Sequence, residues 1–363
     1  MTAKKRILVK GAEAIALGAL KADVDCYFGY PITPQSDIPE LMARELPKRG
    51  KVFLQAESEL AAINMVLGAA ATGKRAMTTS SSPGISLMGE AFSYIAALEL
   101  PAVVVNVMRG GPGLGGIEVS QGDYFQAVKG GGHGDYHLLV LAPCNAQEQY
   151  EFTARAFELA EKYRNPVMVL SDAILAQMKE PLELKKLKIK RYSVEEWALT
   201  GAKGRPSRFI RSLFLDAEEL KEKNLTLQKK YKKMEKEARA EFIIEGGEEV
   251  IVVAFGSMAR LAKEACEILK QKGYAVGMIR PITLFPFPKK AIEKVLEASA
   301  ERPPVFIVPE LNCGQMVEDV KLCVEGRAKV ISLPYPPSVI PFPEDLEKEI
   351  KKCLKSSSIR QRA

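Results

Sequence analysis

Short, continuously apolar runs recur along this chain at the rhythm of strands separated by helices, and they do so in two blocks. Val103-Val104-Val105 and Val250-Ile251-Val252-Val253 are the clearest of them. A strand apolar on both faces has to be covered on both faces, and alternating helices packed on a parallel sheet supply that cover. In the first block strands are predicted at Tyr27–Gly29, Val52–Gln55, Arg75–Thr78, Ala102–Val107, Leu138–Leu141 and Val167–Leu170, with helices such as Glu59–Ala71 and Ala146–Lys162 between them. In the second, strands at Val250–Ala254, Ala275–Arg280 and Val305–Val308 alternate with helices at Leu261–Lys272 and Lys289–Ala298. The expected fold class is α/β, with two parallel-sheet domains. The length of 363 residues fits two such units better than one.

The segment between the blocks differs in composition. From Lys185 to Ala240 there are 17 Lys/Arg against 8 Asp/Glu, whereas the whole chain carries a net charge of only +7. The positive excess is therefore local, and a general attraction for nucleic acid is not indicated. From Ala217 to Phe242 the residues Leu220, Leu227, Tyr231, Met234 and Ala238 form one apolar stripe at helical spacing. The reading is a long connecting helix docked on one side, or a docking surface for a partner. The expected division is residues 1–184, a basic helical linker 185–245, residues 246–355 and a tail 356–363.

Several chemistries are excluded. The six cysteines come no closer than ten residues apart, so no local zinc site or iron–sulfur ligand set is encoded. Two histidines leave little room for histidine chemistry. No apolar run is long enough to span a bilayer. Met-Thr-Ala-Lys-Lys-Arg leads into Ile-Leu-Val rather than into a signal peptide, so a cytoplasmic location is expected.

In open α/β sheets ligands bind beyond the carboxyl ends of the strands, so the residues after each strand are the candidates. Gly29-Tyr30-Pro31-Ile32-Thr33-Pro34 follows the first. Its two prolines stiffen the loop, which serves either as a plain turn or as an apolar frame for a bound ring, with one hydroxyl at Thr33. Gln55-Ala56-Glu57-Ser58-Glu59 follows the second. Here the acids either complement a helix N-terminus capped by Ser58, or one carboxylate points into a site as a proton partner.

Thr78-Thr79-Ser80-Ser81-Ser82 ends the third strand with hydroxyls. GxSxG is absent and only His133 and His137 could act as base, which argues against a serine hydrolase. After the fourth strand Gly111, Gly113 and Gly116 formally spell GxGxxG, but no helical pattern follows. Arg109 at that strand end can grip a carboxylate with its guanidinium, or serve a structural ion pair. A second glycine loop carries His133, which either touches substrate or has no function.

The segments YPITPQS, LQAESE, SSSPGISLM, NVMRGGPGLGG and KGGGHGDY, with AFGS, RPITLFP and ELNCGQM in the second block, together resemble the alpha subunit of 2-oxoacid:ferredoxin oxidoreductases. The branched-chain (2-oxoisovalerate) type is the nearest match. The resemblance covers nearly the whole chain. It implies a thiamine diphosphate pyrimidine-binding domain followed by a transketolase C-terminal-like domain. It implies that Glu59 hydrogen-bonds N1′ of the aminopyrimidine, favouring the imino tautomer whose 4′-nitrogen deprotonates the thiazolium carbon. Thr33 and Arg109 would bind the 2-oxoacid, and Tyr30, Pro31 and Ile32 would lie against the cofactor rings.

A diphosphate-binding chain of this family should show GDG followed by Asn-Asn. Gly122-Asp123-Tyr124 and Gly134-Asp135-Tyr136 do not fit that pattern. The resemblance therefore implies half of a split active site. A beta subunit would bring the diphosphate and Mg²⁺, while gamma and ferredoxin-like delta subunits, with iron–sulfur clusters on partner chains, would handle coenzyme A and electron transfer to ferredoxin. The implied reaction is oxidative decarboxylation of a 2-oxoacid with coenzyme A to acyl-CoA and CO₂, with no nucleic-acid or membrane partner. The alternatives are a 2-oxoglutarate enzyme and, more remotely, a non-catalytic scaffold subunit.

Overall fold

The computed structural model describes residues 6–337 and 339–360. The described strands, in chain order, are β1 (Arg6–Lys10), β2 (Cys26–Gly29), β3 (Val52–Gln55), β4 (Ala76–Ser80), β5 (Ala102–Met108), β6 (Leu139–Leu141) and β7 (Pro166–Asp172). They continue with β8 (Lys179–Glu183), β9 (Ala240–Ile243), β10 (Val250–Val253), β11 (Val276–Pro281), β12 (Thr283–Phe285), β13 (Val305–Glu310) and β14 (Val330–Pro334).

A seven-stranded sheet has the order β12-β6-β7-β5-β4-β2-β3, and a five-stranded sheet the order β14-β13-β10-β11-β9. The interior strands are parallel, and both β5 and β7 are buried along their whole length. That burial is what their unbroken apolar runs require. Two edge strands are antiparallel, β12 on β6 and β9 on β11, and β1 forms a separate antiparallel ribbon with β8. Short pairings of this kind leave no periodic signal, and they are absent from the expectation.

The connecting segment differs from expectation in one respect. Its helix runs Ala217–Met234 and stops there; Phe242 lies in β9. Leu227, Tyr231 and Met234 are buried as the stripe predicts, but Leu220 is exposed. Spacing alone made Ala238 look helical, whereas Glu241-Phe242-Ile243 satisfies its backbone on β11. Burying Tyr231 and Met234 is worth about 1.5–3 kcal/mol each, which anchors the helix end.

The two sheets are joined through polar groups as well as core. Gln121, fully buried, donates to the Phe255 carbonyl (2.8 Å) and accepts from Leu311 N–H (3.2 Å). Arg280 reaches across to both oxygens of Glu148 (2.9 and 2.7 Å). Among the described residues no helix is long and apolar enough to cross a membrane, and no group of His, Cys, Asp and Glu could hold a metal ion.

Candidate active site

The chain leaves β2 toward β3 on one side, while β4, on the other side of β2, continues away toward β5. This reversal opens a crevice above β2 and β4 at their carboxyl ends, the place where such sheets bind ligands. The loops after β2, β3, β4 and β5 all emerge at this edge, because the four strands run parallel.

Ser58 caps the helix Glu59–Ala71, its Oγ accepting from Ala61 N–H at 3.1 Å. The cap turns the two flanking acids in different directions: Glu57 is exposed and Glu59 is 5% exposed. The Glu59 carboxylate takes no hydrogen bond or ion pair from any described residue. It sits against Ser80 Oγ and Gly84, where an added Cβ would lie 2.4 Å from Glu59 Oε1 and 2.1 Å from Ser80 Oγ. Only glycine leaves room for both. Buried carboxylates are ordinarily paired, so an unpaired one at a ligand-binding edge marks a group that is to be met by a ligand. The hydroxyls of Thr78, Ser80 and Ser81 nearby are also buried without partners.

Arg109 lies at the end of β5 and is 7% exposed. Its structural role is not an ion pair: Nη1 donates to the Thr33 carbonyl (2.9 Å) and Nη2 to the Leu114 carbonyl (3.1 Å), while Nε–H is buried without a partner. Ser82 Oγ accepts from Arg109 N–H at 3.0 Å and fixes the backbone. The glycine loop folds back on itself, with Gly110 N–H to Glu118 O at 2.9 Å. Gly115 has φ +59°, and a Cβ there would run into the Gly110 carbonyl. The loop therefore wraps the guanidinium rather than cradling phosphates.

Tyr30 and Ile32 are half-buried, and Pro31 and Thr33 are exposed. Their loop is held by a relay that sequence reasoning missed. Tyr27 Oη contacts Thr79 Oγ1 (2.6 Å), Thr79 Oγ1 donates to Gln35 Oε1 (2.5 Å), and Gln35 Nε2 donates to the Tyr30 carbonyl (3.2 Å). All three side chains are fully buried. Burial pushes the Tyr27 phenol well above its usual range, so it stays protonated. The hydroxyl run ending β4 was the available signal; its partners lie 44 and 52 residues away.

Thr33 and Arg109 are thus brought together, and Glu59 shares their edge of the sheet. His133 packs on the helix Gly89–Ala97: its Nδ1 lies 3.4 Å from Ser93 Oγ, and its ring meets Tyr94 edge-on. Asp123 accepts from Asn106 Nδ2 (2.8 Å), and burial raises its carboxyl above the usual range.

An unpaired buried acid and orphaned hydroxyls at the carboxyl edge of a parallel sheet, beside a second α/β unit, mark a ligand-binding crevice in a two-unit α/β protein. Residues 17–245 match the family described as "Pyruvate flavodoxin/ferredoxin oxidoreductase, thiamine diP-bdg", and residues 248–335 match "Pyruvate:ferredoxin oxidoreductase core domain II". The chain belongs to this family of 2-oxoacid:ferredoxin oxidoreductase subunits, thiamine-diphosphate enzymes that act as parts of complexes.

It is 49% identical to the ketoisovalerate oxidoreductase subunit VorB of Methanothermobacter thermautotrophicus, over 87% of this chain and 89% of that one. It is 39% identical to the 2-oxoglutarate synthase subunit KorA of Archaeoglobus fulgidus, over 90% and 93%. Among solved structures, a 2-oxoglutarate:ferredoxin oxidoreductase from Magnetococcus marinus superposes with a TM-score of 0.81 at 29% identity, covering 97% of this chain and 66% of that one. A split-gene transketolase (TM-score 0.59, 14% identity, 96% and 98% covered) shares the fold.

Proposed function

We propose that this chain is the alpha subunit of a complex that converts a 2-oxoacid, coenzyme A and oxidised ferredoxin to acyl-CoA, CO₂, a proton and reduced ferredoxin. The favoured substrate class is the branched-chain one, 2-oxoisovalerate foremost. The observation that carries the reading is the buried, unpaired Glu59 carboxylate at the crevice of a chain with this family membership. The substrate class draws on the 49% identity to a ketoisovalerate oxidoreductase subunit. The 39% identity to a 2-oxoglutarate synthase subunit favours 2-oxoglutarate as the second reading.

The residues fit the cofactor, because Glu59 and the hydroxyls of β4 need partners that the chain does not supply. Glu59 would hold a proton between its carboxyl and a ring nitrogen of the aminopyrimidine. Tyr30, Pro31 and Ile32 would line the ring site. Thiamine diphosphate, when bound, supplies the electron sink for decarboxylation. Arg109 would orient the 2-oxoacid carboxylate with N–H groups not engaged by backbone carbonyls, and Thr33 would bind the same substrate.

In this reading residues 1–184 are the pyrimidine-binding domain, 185–245 the basic linker, 246–355 the transketolase C-terminal-like domain and 356–363 a tail. The beta subunit brings Mg²⁺ and the diphosphate half-site. Gamma and ferredoxin-like delta subunits complete a cytoplasmic complex, whose iron–sulfur clusters lie on chains other than this one. The test is purification from the native host with partners attached, followed by a screen of 2-oxoacids with a low-potential dye. Dye reduction should require both coenzyme A and a 2-oxoacid. Its absence with every 2-oxoacid tried would overturn the reading.

A further inference from the structure

A cavity of about 880 Å³ opens beside Thr33 and Pro34. Its walls come from segments that leave three parallel strands of the seven-stranded sheet at their carboxyl ends: Thr33–Asp37 after β2, Ile117–Val119 after β5 and Ala173–Met178 after β7. Ile340, from beyond β14, closes one side. The cavity therefore shares a rim with Arg109, whose Nη1 is bonded to the Thr33 carbonyl at 2.9 Å.

The chemistry of the lining is one-sided. Ile117, Val119, Ile174, Met178 and Ile340 give it an apolar wall. The only ionisable groups among the described lining residues are two acids, Asp37 and Glu118. Asp37 is already engaged by Lys10 Nζ (2.8 Å) and by Gln177 Nε2 (3.2 Å). The Gln177 amide also donates to the Pro34 carbonyl at 2.7 Å. A carboxylate entering this space would find no cation among the lining residues, since Lys10 is committed to Asp37, and Glu118 would repel it; an unpaired charge taken from water is strongly disfavoured. A branched hydrocarbon would exchange water for isoleucine side chains, which is favourable.

We infer that this cavity receives the side chain of the 2-oxoacid, and that Ile117, Ile174 and Ile340 set its preference for an apolar chain over one ending in a carboxylate. The inference rests on the proposed activity and narrows its substrate class. Arg109 and Thr33 hold the end of the substrate common to all 2-oxoacids, and the cavity beside them reads the end that differs. Discrimination by apolar contact amounts to roughly 10-fold or more per methylene, so removing one wall residue has a measurable effect.

The test uses the complex with its partner subunits, as wild type and with Ile174→Ala or Ile117→Lys. Ile117 is 56% exposed, so its replacement leaves the fold intact, and an unchanged melting temperature verifies this. Ile174→Ala should lower kcat/KM for 2-oxoisovalerate about 10-fold relative to pyruvate, chiefly through KM. Ile117→Lys should raise kcat/KM for 2-oxoglutarate by about the same factor and make glutarate a better competitive inhibitor than 3-methylbutanoate. Wild-type ratios in both variants would overturn the assignment of the cavity while leaving the activity standing, as would a wild-type complex that prefers 2-oxoglutarate. A wild-type complex inert to every 2-oxoacid would overturn the activity and the assignment with it.

Discussion

At the scale of single residues, Glu59 has the least explanation within the chain itself. It is buried, ionisable and unpaired, and Gly84 keeps the space beside it open. Replacing the carboxylate by an amide keeps the shape and removes the proton that the proposed reading has Glu59 share with the cofactor ring. Glu59→Gln should therefore lower kcat of the complex about 10²-fold or more while its melting temperature stays the same or rises. Activity within a few-fold of wild type would remove Glu59 from the chemistry. Ser58 and Glu59 are legible in the sequence because a cap and the acid beside it are local. The grip of Arg109 on the Thr33 carbonyl and the Tyr27–Thr79–Gln35 relay are not, since their members meet only once the sheet has formed. The sequence offers Arg109 as a carboxylate ligand or an ion-pair partner; the structure engages it with backbone carbonyls and leaves Nε–H free.

At the scale of elements, the helices Glu59–Ala71 and Lys289–Ala298 are readable from end to end: the first is a capped run of strong helix formers such as alanine, leucine and methionine, and the second alternates an apolar and a charged face over several turns. The end of the connecting helix is not, since what stops it is strand pairing with a distant segment. That helix is held to the first sheet through His137, whose ring stacks on Phe285 of β12 (centroids 4.1 Å apart) and meets Tyr231 edge-on (5.2 Å). Burial lowers the imidazole below its usual value, against a smaller opposing pull from Asp135. A base whose folded value is depressed favours the fold while neutral. This contribution is present above about pH 6.5 and is lost as the pH falls through the lower folded value. His137→Phe keeps the stacking and deletes the titration. The difference in urea midpoint between about pH 7.5 and pH 5 should accordingly be smaller in the variant than in wild type. An equal difference would mean that the ring titrates alike folded and unfolded. Carboxylates that titrate in the same window affect both proteins equally and cancel in the comparison.

At the scale of the molecule, the site's own helix is only half covered. Leu60 (47% exposed) on Glu59–Ala71, Leu87 (56%) on Ser82–Leu87 and Tyr94 on Gly89–Ala97 turn apolar surface outward from three helices that pack on one another. Surface of this kind marks an interface. The missing diphosphate motif points the same way: in the proposed reading Glu59 meets the cofactor ring and the phosphate cradle comes from a partner at this edge. If a partner subunit seats here, Leu60→Asp combined with Leu87→Asp should release this chain from the complex on gel filtration. The melting temperature of the isolated chain should change little, because both positions are already wet. The freed chain should have neither turnover nor tight thiamine diphosphate binding. A complex that stays intact with both aspartates present would place the partner on another face. Tight cofactor binding by the isolated wild-type chain would show instead that the phosphate cradle lies within these 363 residues after all.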